Sequence, residues 1–309
     1  MDDNGLLIIY TGGTIGMAKD NKNIDTLINR DEIKNNIFER ISLDKNDKII
    51  STRRIIDSSQ LDYLMFNEIS NIIEREYNNF SGFLIVGGTD TMAYLQSLLK
   101  WHIKGLQKPI ILTGAIKSYD QDENEGINNI KFAMNQLRLC KNQGIVGIVM
   151  DEKLLKNPST KNNSTSKSPY QEITNSFLEN LRMEMFSVSK EVKFYEINDV
   201  KVEIIYLNPF MYIPDTINLA DAILILAYGQ GTFKENIEFK SRVIEYTKLK
   251  KPVLVLSQCI ENILDVNEYD SGGFLDDLPV QYISGSTIEE GLAYINYIIN
   301  NNILISQNN

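Results

Sequence analysis

Two short apolar runs set the tightest limits on how this chain folds. "LLIIY" at residues 6–10 enters the turn "TGGTIGM", and "GFLIV" at residues 82–86 enters the turn "GGTDTMAY". Five apolar residues running into a glycine turn read as a strand buried on both faces, the kind found in parallel sheets covered by helices. The stretches between carry helical periodicity. "QLDYLMFNEISNIIEREY" sets Leu61, Leu64, Met65, Ile69, Ile72 and Ile73 on one face, and "RDEIKNNIFERI" does so with Ile33, Ile37, Phe38 and Ile41. Further strands are expected at Lys48–Ile56, Pro109–Leu112 and Ile145–Met150, with "NNIKFAMNQLRL" as a helix after the fourth strand. Strands alternating with helices give an α/β fold built on a mostly parallel sheet.

A length of 309 residues suits two such domains, or one large one. A second series of strand-like runs, "VEIIYL", "AILILAYGQG", "KPVLVLSQC" and "PVQYISG", alternates with the helical stretches "NIEFKSRVIEYTKL" and "TIEEGLAYINYIINNNI". The expected organisation is a larger N-terminal domain over 1–190, a linker over 191–200 and a smaller C-terminal α/β domain over 201–309. Residues 156–175 are polar and turn-rich and read as a surface loop.

The formal net charge of -10 argues against a nucleic-acid surface, which needs clustered Lys and Arg. No run approaches the roughly 20 apolar residues of a membrane span. Asp2 and Asp3 stand where a secretion signal needs basic residues, and Cys140 and Cys259 lie far apart, so a reducing, cytoplasmic location is expected. No Cys/His spacing suits a metal. The lone histidine, His102, falls in the helical pattern "TMAYLQSLLKWHIKGL" and reads as a helix-surface residue. A zinc site of the HExxH kind or a Ser-His-Asp triad would need a placed histidine. If the chain is an enzyme, its base is not histidine.

In open parallel sheets, ligands bind beyond the carboxyl ends of the strands. The turns at Thr11–Gly16, Asp57–Gln60, Gly87–Thr91 and from Thr113 onward all leave such ends and can line one crevice. Gly12, Gly13 and Gly16 miss the dinucleotide spacing GxGxxG, and no GK[ST] follows to make a phosphate loop. A hydroxyl nucleophile near neutral pH needs a base beside it. "GGTDT" supplies Thr89 and Asp90 at a helix start, where backbone N–H groups can bind a developing oxyanion. Asp90 and Thr91 also suit plain helix capping, and the residues alone leave both readings open.

"YTGGTIGM" together with "GGTDTMAY" resembles the paired signatures of the bacterial-type L-asparaginase/glutaminase family, in its cytoplasmic, type I form. "DSSQLD", "ILTGAIKS", "DENEGINNIKFA", "STKNNST", "YGQGTF" and "LSQC" resemble further family motifs in order, so the likeness spans nearly the whole chain. The resemblance implies that Thr14 attacks a side-chain amide carbon and that Thr89, Asp90 and Lys161 relay protons. It implies that Ser59 and Gln60, with help from Asp90, hold the substrate's α-carboxylate and α-amino groups, that backbone N–H groups near Gly13 and Thr89 form the oxyanion hole, and that Gly13 and Gly88 contact the substrate. It further implies asparagine hydrolysis with weaker action on glutamine, no cofactor and no metal, and self-association to a dimer or tetramer with an acid donated by the neighbouring subunit. Glu268, in "ENILDVNEYDSGGF", is the expected donor. Two departures stand out. The lid segment "AKDNKNIDTLINRDE" lacks the tyrosine that relatives carry, and Leu226 occupies the place of an arginine used for allostery in some of them. Two alternatives follow: a catalytically weak asparagine-binding homologue, or an ammonia-producing amidotransferase subunit. Cys259 is expected to be a buried strand-end thiol.

Overall fold

A computed structural model of the chain describes residues 4–19, 25–27, 37–121, 124–186, 191–210, 219–234, 236–260, 275 and 277–303. The chain divides into two units, Met1–Glu172 with Phe186–Glu196, and Ile173–Met185 with Ile197–Asn309. The first holds β1 (Leu6–Gly12), β2 (Met17–Lys19), β3 (Asp25–Leu27), β4 (Lys48–Ile56), α1 (Tyr63–Glu76), β5 (Gly82–Val86), α2 (Met92–His102), β6 (Ile103–Lys104), β7 (Ile110–Thr113), α3 (Gly126–Leu139), β8 (Val146–Met150), β9 (Lys153–Leu155), β10 (Ser159–Lys161), β11 (Tyr170–Glu172) and β12 (Lys193–Phe194).

Its main sheet runs β4-β1-β5-β7-β8-β9, parallel except where β9 turns back on β8. Every residue of β1, β5, β7 and β8 is buried. Each fully buried Leu or Ile in them contributes about 1.5–3 kcal/mol. Counting only the parallel strands, the spatial order is 2-1-3-4-5, the flavodoxin-like arrangement expected from the sequence. The chain leaves β1 toward β4 on one side and β5 toward β7 on the other. The topological switch point therefore lies between β1 and β5, the two strands that carry the threonine turns.

Several local expectations change. Within the expected helix at 30–41, the described part is a short 3-10 turn, Phe38–Arg40, and residues 30–36 lie outside the described residues. The polar stretch 156–175 holds the β10–β11 hairpin, with Ser159, Thr160 and Lys161 opposite Glu172, Gln171 and Tyr170. Such short polar strands have no apolar alternation to announce them. His102 is fully buried rather than on the surface, its Nδ1 3.0 Å from the Leu98 carbonyl and its ring edge-on to Phe66. The outer side of α2 is itself covered: β6 pairs with β12, and Phe186 packs edge-on against Trp101.

The second unit holds α4 (Phe177–Phe186, all but its last residue), β13 (Val202–Tyr206), β14 (Ala222–Ala227), α5 (Ile237–Thr247), β15 (Val253–Ser257), β16 (Gln281–Tyr282) and α6 (Ile288–Asn300). Its four strands are parallel in the order β13-β14-β15-β16. Ile223, Ile225, Val253 and Val255 pack there with Phe239, Val243 and Tyr246 of α5. Residues 173–185, expected in the first domain, group with this unit, and buried hydrogen bonds account for it. Ser176 Oγ and Ser286 Oγ both donate to Glu290 Oε2, at 2.6 and 2.7 Å, and the Phe177 N–H reaches the Ser284 carbonyl. Cys259 is exposed rather than buried, because the chain turns outward after β15 with the Cys259 N–H donating to Ser257 Oγ at 2.9 Å.

Candidate active site

Three turns meet at the carboxyl end of the main sheet. The first follows β1. Gly12 and Gly13 take φ of 116° and 80°, the left-handed region that favours glycine. The register between β1 and β4 slips between Tyr10 and Gly12, which swings the chain out of the strand. Thr14 then opens a short 3-10 turn, half-buried, with the Gly16 N–H donating to the Gly13 carbonyl at 2.9 Å. A Cβ on Gly13 would lie 2.1 Å from Gly88 N and 2.2 Å from Gly88 Cα. The backbones of the two threonine turns are thus in contact, and only glycine permits the approach.

The turn after β4 braces the one after β5. Ser58 is buried, and its Oγ accepts from the Asp90 N–H at 3.2 Å while its carbonyl accepts from Thr91 Oγ1 at 2.9 Å. A Cβ on Gly88 would lie 2.5 Å from Ser58 Oγ, so Ser58 also fills the space beside that glycine. Sequence reasoning passed over Ser58 in favour of its neighbours. Ser59 and Gln60 are exposed. The Ser59 N–H donates to Asp57 Oδ1 at 2.9 Å, and Gln60 Nε2 donates to Ser59 Oγ at 3.3 Å. Among the described residues neither side chain is hydrogen-bonded to Thr89, Asp90 or Lys161. Glu268 lies outside the described residues.

The β10–β11 hairpin brings the cation. Lys161 Nζ donates to Thr89 Oγ1 at 2.9 Å and to Asp90 Oδ1 at 2.6 Å. Thr89 is buried, and it receives a second constraint from the buried Tyr170, whose hydroxyl donates to the Thr89 carbonyl. Tyr170 was not legible as a site residue, since a tyrosine in a polar loop carries no motif. A hydroxyl held by an ammonium that is itself paired with a carboxylate can pass protons along a short chain.

The Gly13 N–H donates to the Ile56 carbonyl at 2.9 Å, so Gly13 supplies close approach rather than a free donor for substrate. Among the described residues no group of three or more His, Cys, Asp or Glu side chains is placed to hold a metal ion. Among them, too, no helix is long and apolar enough to cross a membrane.

Residues 5–193 match the family profile described as "Asparaginase, N-terminal". L-asparaginase 1 of Escherichia coli K12 is 22% identical over 97% of this chain and 93% of its own length. The mouse 60 kDa lysophospholipase is 32% identical over 132 residues, 36% of this chain but only 23% of that protein. The solved thermostable L-asparaginase from Thermococcus kodakarensis superposes with a TM-score of 0.76 at 21% identity, covering 96% of this chain and 92% of that one. At that identity the structural likeness speaks for the fold.

Proposed function

The chain belongs to the asparaginase family, and from that premise we propose that it hydrolyses L-asparagine to L-aspartate and ammonia through an acyl-threonine intermediate. The observation that carries the reading is the bridge from Lys161 Nζ to Thr89 Oγ1 and Asp90 Oδ1. A lysine that bridges a threonine hydroxyl and a carboxylate, next to a second threonine turn, suits nucleophilic acyl transfer.

In this scheme Thr14 Oγ1 attacks the side-chain amide carbon, and its proton is passed on to the leaving nitrogen. The carbonyl oxygen becomes an oxyanion, held by N–H groups of the Thr14 and Thr89 turns. The C–N bond then breaks, and the leaving nitrogen takes that proton and departs as ammonia. Water, activated at the Thr89–Lys161–Asp90 cluster, attacks the resulting ester and frees aspartate and Thr14. Asp90, whose side chain is 66% exposed, keeps an oxygen open toward the cationic α-amino group of the substrate while Lys161 holds the other. Self-association to a dimer or tetramer, with an acid such as Glu268 donated by the neighbouring subunit, belongs to the same proposal. Light scattering tests that part: more than one chain per particle is expected, and a fully active monomer contradicts it.

The reading is tested with hydroxylamine. Purified protein should release ammonia and aspartate from asparagine in equal amounts, and hydroxylamine should divert the acyl group to aspartyl hydroxamate. Ammonia release with no hydroxamate at any hydroxylamine concentration contradicts a covalent intermediate.

A further inference from the structure

Tyr170 stands directly opposite Lys161 in the β10–β11 ladder. The two residues grip Thr89 from different sides, Lys161 at the hydroxyl and Tyr170 at the backbone carbonyl. The peptide unit that begins with the Thr89 carbonyl ends with the Asp90 N–H, which donates to Ser58 Oγ at 3.2 Å. Both polar atoms of that one peptide are therefore held, the carbonyl by Tyr170 and the N–H by Ser58. A peptide fixed at both atoms has its plane fixed. The plane restricts ψ of Thr89 and φ of Asp90, the backbone from which the hydroxyl and the carboxylate reach Lys161. Tyr170 is 7% exposed, so water competes little for the bond.

We propose that Tyr170 is a positioning residue for the Thr89–Asp90 peptide, clamping the geometry in which Lys161 addresses Thr89. This rests on the reading above, in which Thr89, Asp90 and Lys161 move the protons. One hairpin then delivers both the cation and the clamp, so that they cannot drift apart.

Tyr170→Phe removes one oxygen and keeps the ring that fills the site. Two readouts test it. In steady-state hydrolysis of asparagine, kcat should fall about three- to tenfold, the span expected for one intramolecular hydrogen bond, with KM changed less than about twofold. In amide hydrogen exchange, the Asp90 N–H should exchange severalfold faster while those of Ile85 and Val86 in β5 hold their wild-type rates. Unchanged exchange at Asp90 overturns the proposal whatever the activity does. A uniform rise across β5 and the turn overturns it too, since that marks general loosening, as does a KM increase at constant kcat. A wild-type protein that releases no ammonia defeats the proposed function, and the exchange measurement still decides whether Tyr170 holds the peptide.

Discussion

Lys161 Nζ lies 2.6 Å from Asp90 Oδ1, and the lysine is the more enclosed partner, with 15% of its side chain exposed against 66% for the aspartate. With the carboxylate largely in solvent, the pair is screened and contributes little to stability. Its consequence is directional: the carboxylate anchors the ammonium against Thr89 Oγ1. Removing the lysine should therefore damage turnover more than folding.

Lys161→Met is expected to lower kcat by about a hundredfold or more, with KM within a fewfold of wild type, because the proton role proposed for it would be realised in the transition state. Steady-state kinetics check this. A change confined to KM would reduce Lys161 to a substrate-binding residue.

Gly13→Ala should damage both fold and activity. The added methyl meets the Gly88 backbone at 2.1 Å, and the φ of 80° is itself unfavourable for alanine, by about 1–2 kcal/mol before the clash is counted. A lowered melting temperature with loss of turnover is expected. Gly229→Ala is the control for backbone strain without a clash, since its φ of 28° is also positive but a Cβ there meets nothing within 4 Å. Equal stability of the two variants would contradict the contact between the threonine turns.

Substrate choice follows from length. Glutamine is one methylene longer than asparagine, and a pocket fitted to the shorter side chain discriminates by about 1–3 kcal/mol, or roughly 10- to 200-fold in kcat/KM. Asparagine should win a direct competition, with measurable action on glutamine. Preference for glutamine would reverse the assignment.

Asp62 makes the stability of α1 depend on pH. It caps that helix, accepting from the Met65 N–H at 2.8 Å, and pairs with Arg54. Desolvation pushes its carboxyl up, but the Arg54 hydrogen bond and charge and the backbone N–H groups outweigh it and hold the group below the usual aspartate value. The stabilisation is present above the unfolded value of about 3.9 and is lost as pH falls through the folded one. Asp62→Ala should cost about 1 kcal/mol at neutral pH. Asp62→Asn should keep much of the cap but flatten the acid limb. Urea titrations at several pH values check both, and an unchanged acid limb in Asp62→Asn would remove Asp62 as its source.

The centre of the sheet was legible because its strands are buried apolar runs: Leu6–Tyr10 and Gly82–Val86 need no tertiary knowledge to be read, whereas the short edge strand Lys153–Leu155 carries no such run. The threonine turns were legible because glycine spacing and hydroxyls are explicit in sequence. Ser58 was hidden by its neighbours. Of the serines in "DSSQLD", the one that faces inward is decided by the turn that Asp57 caps, which a linear reading does not contain. Tyr170 was hidden because its role depends on standing opposite Lys161 in a three-residue polar ladder. His102 and Cys259 were misplaced for related reasons. Helical periodicity does not show that α2 is covered on its outer side, and an apolar strand does not show where the chain turns two residues later.

The central claim is that Thr14 is the nucleophile of an amide hydrolysis. The measurement that tests it most directly is ammonia release from L-asparagine by wild-type protein and by Thr14→Ala, with circular dichroism and aspartate binding confirming that the variant folds. The account predicts steady release by the wild type and a loss of roughly a thousandfold or more in the variant, with aspartate still bound. Ammonia release by Thr14→Ala at a rate near that of the wild type would contradict it.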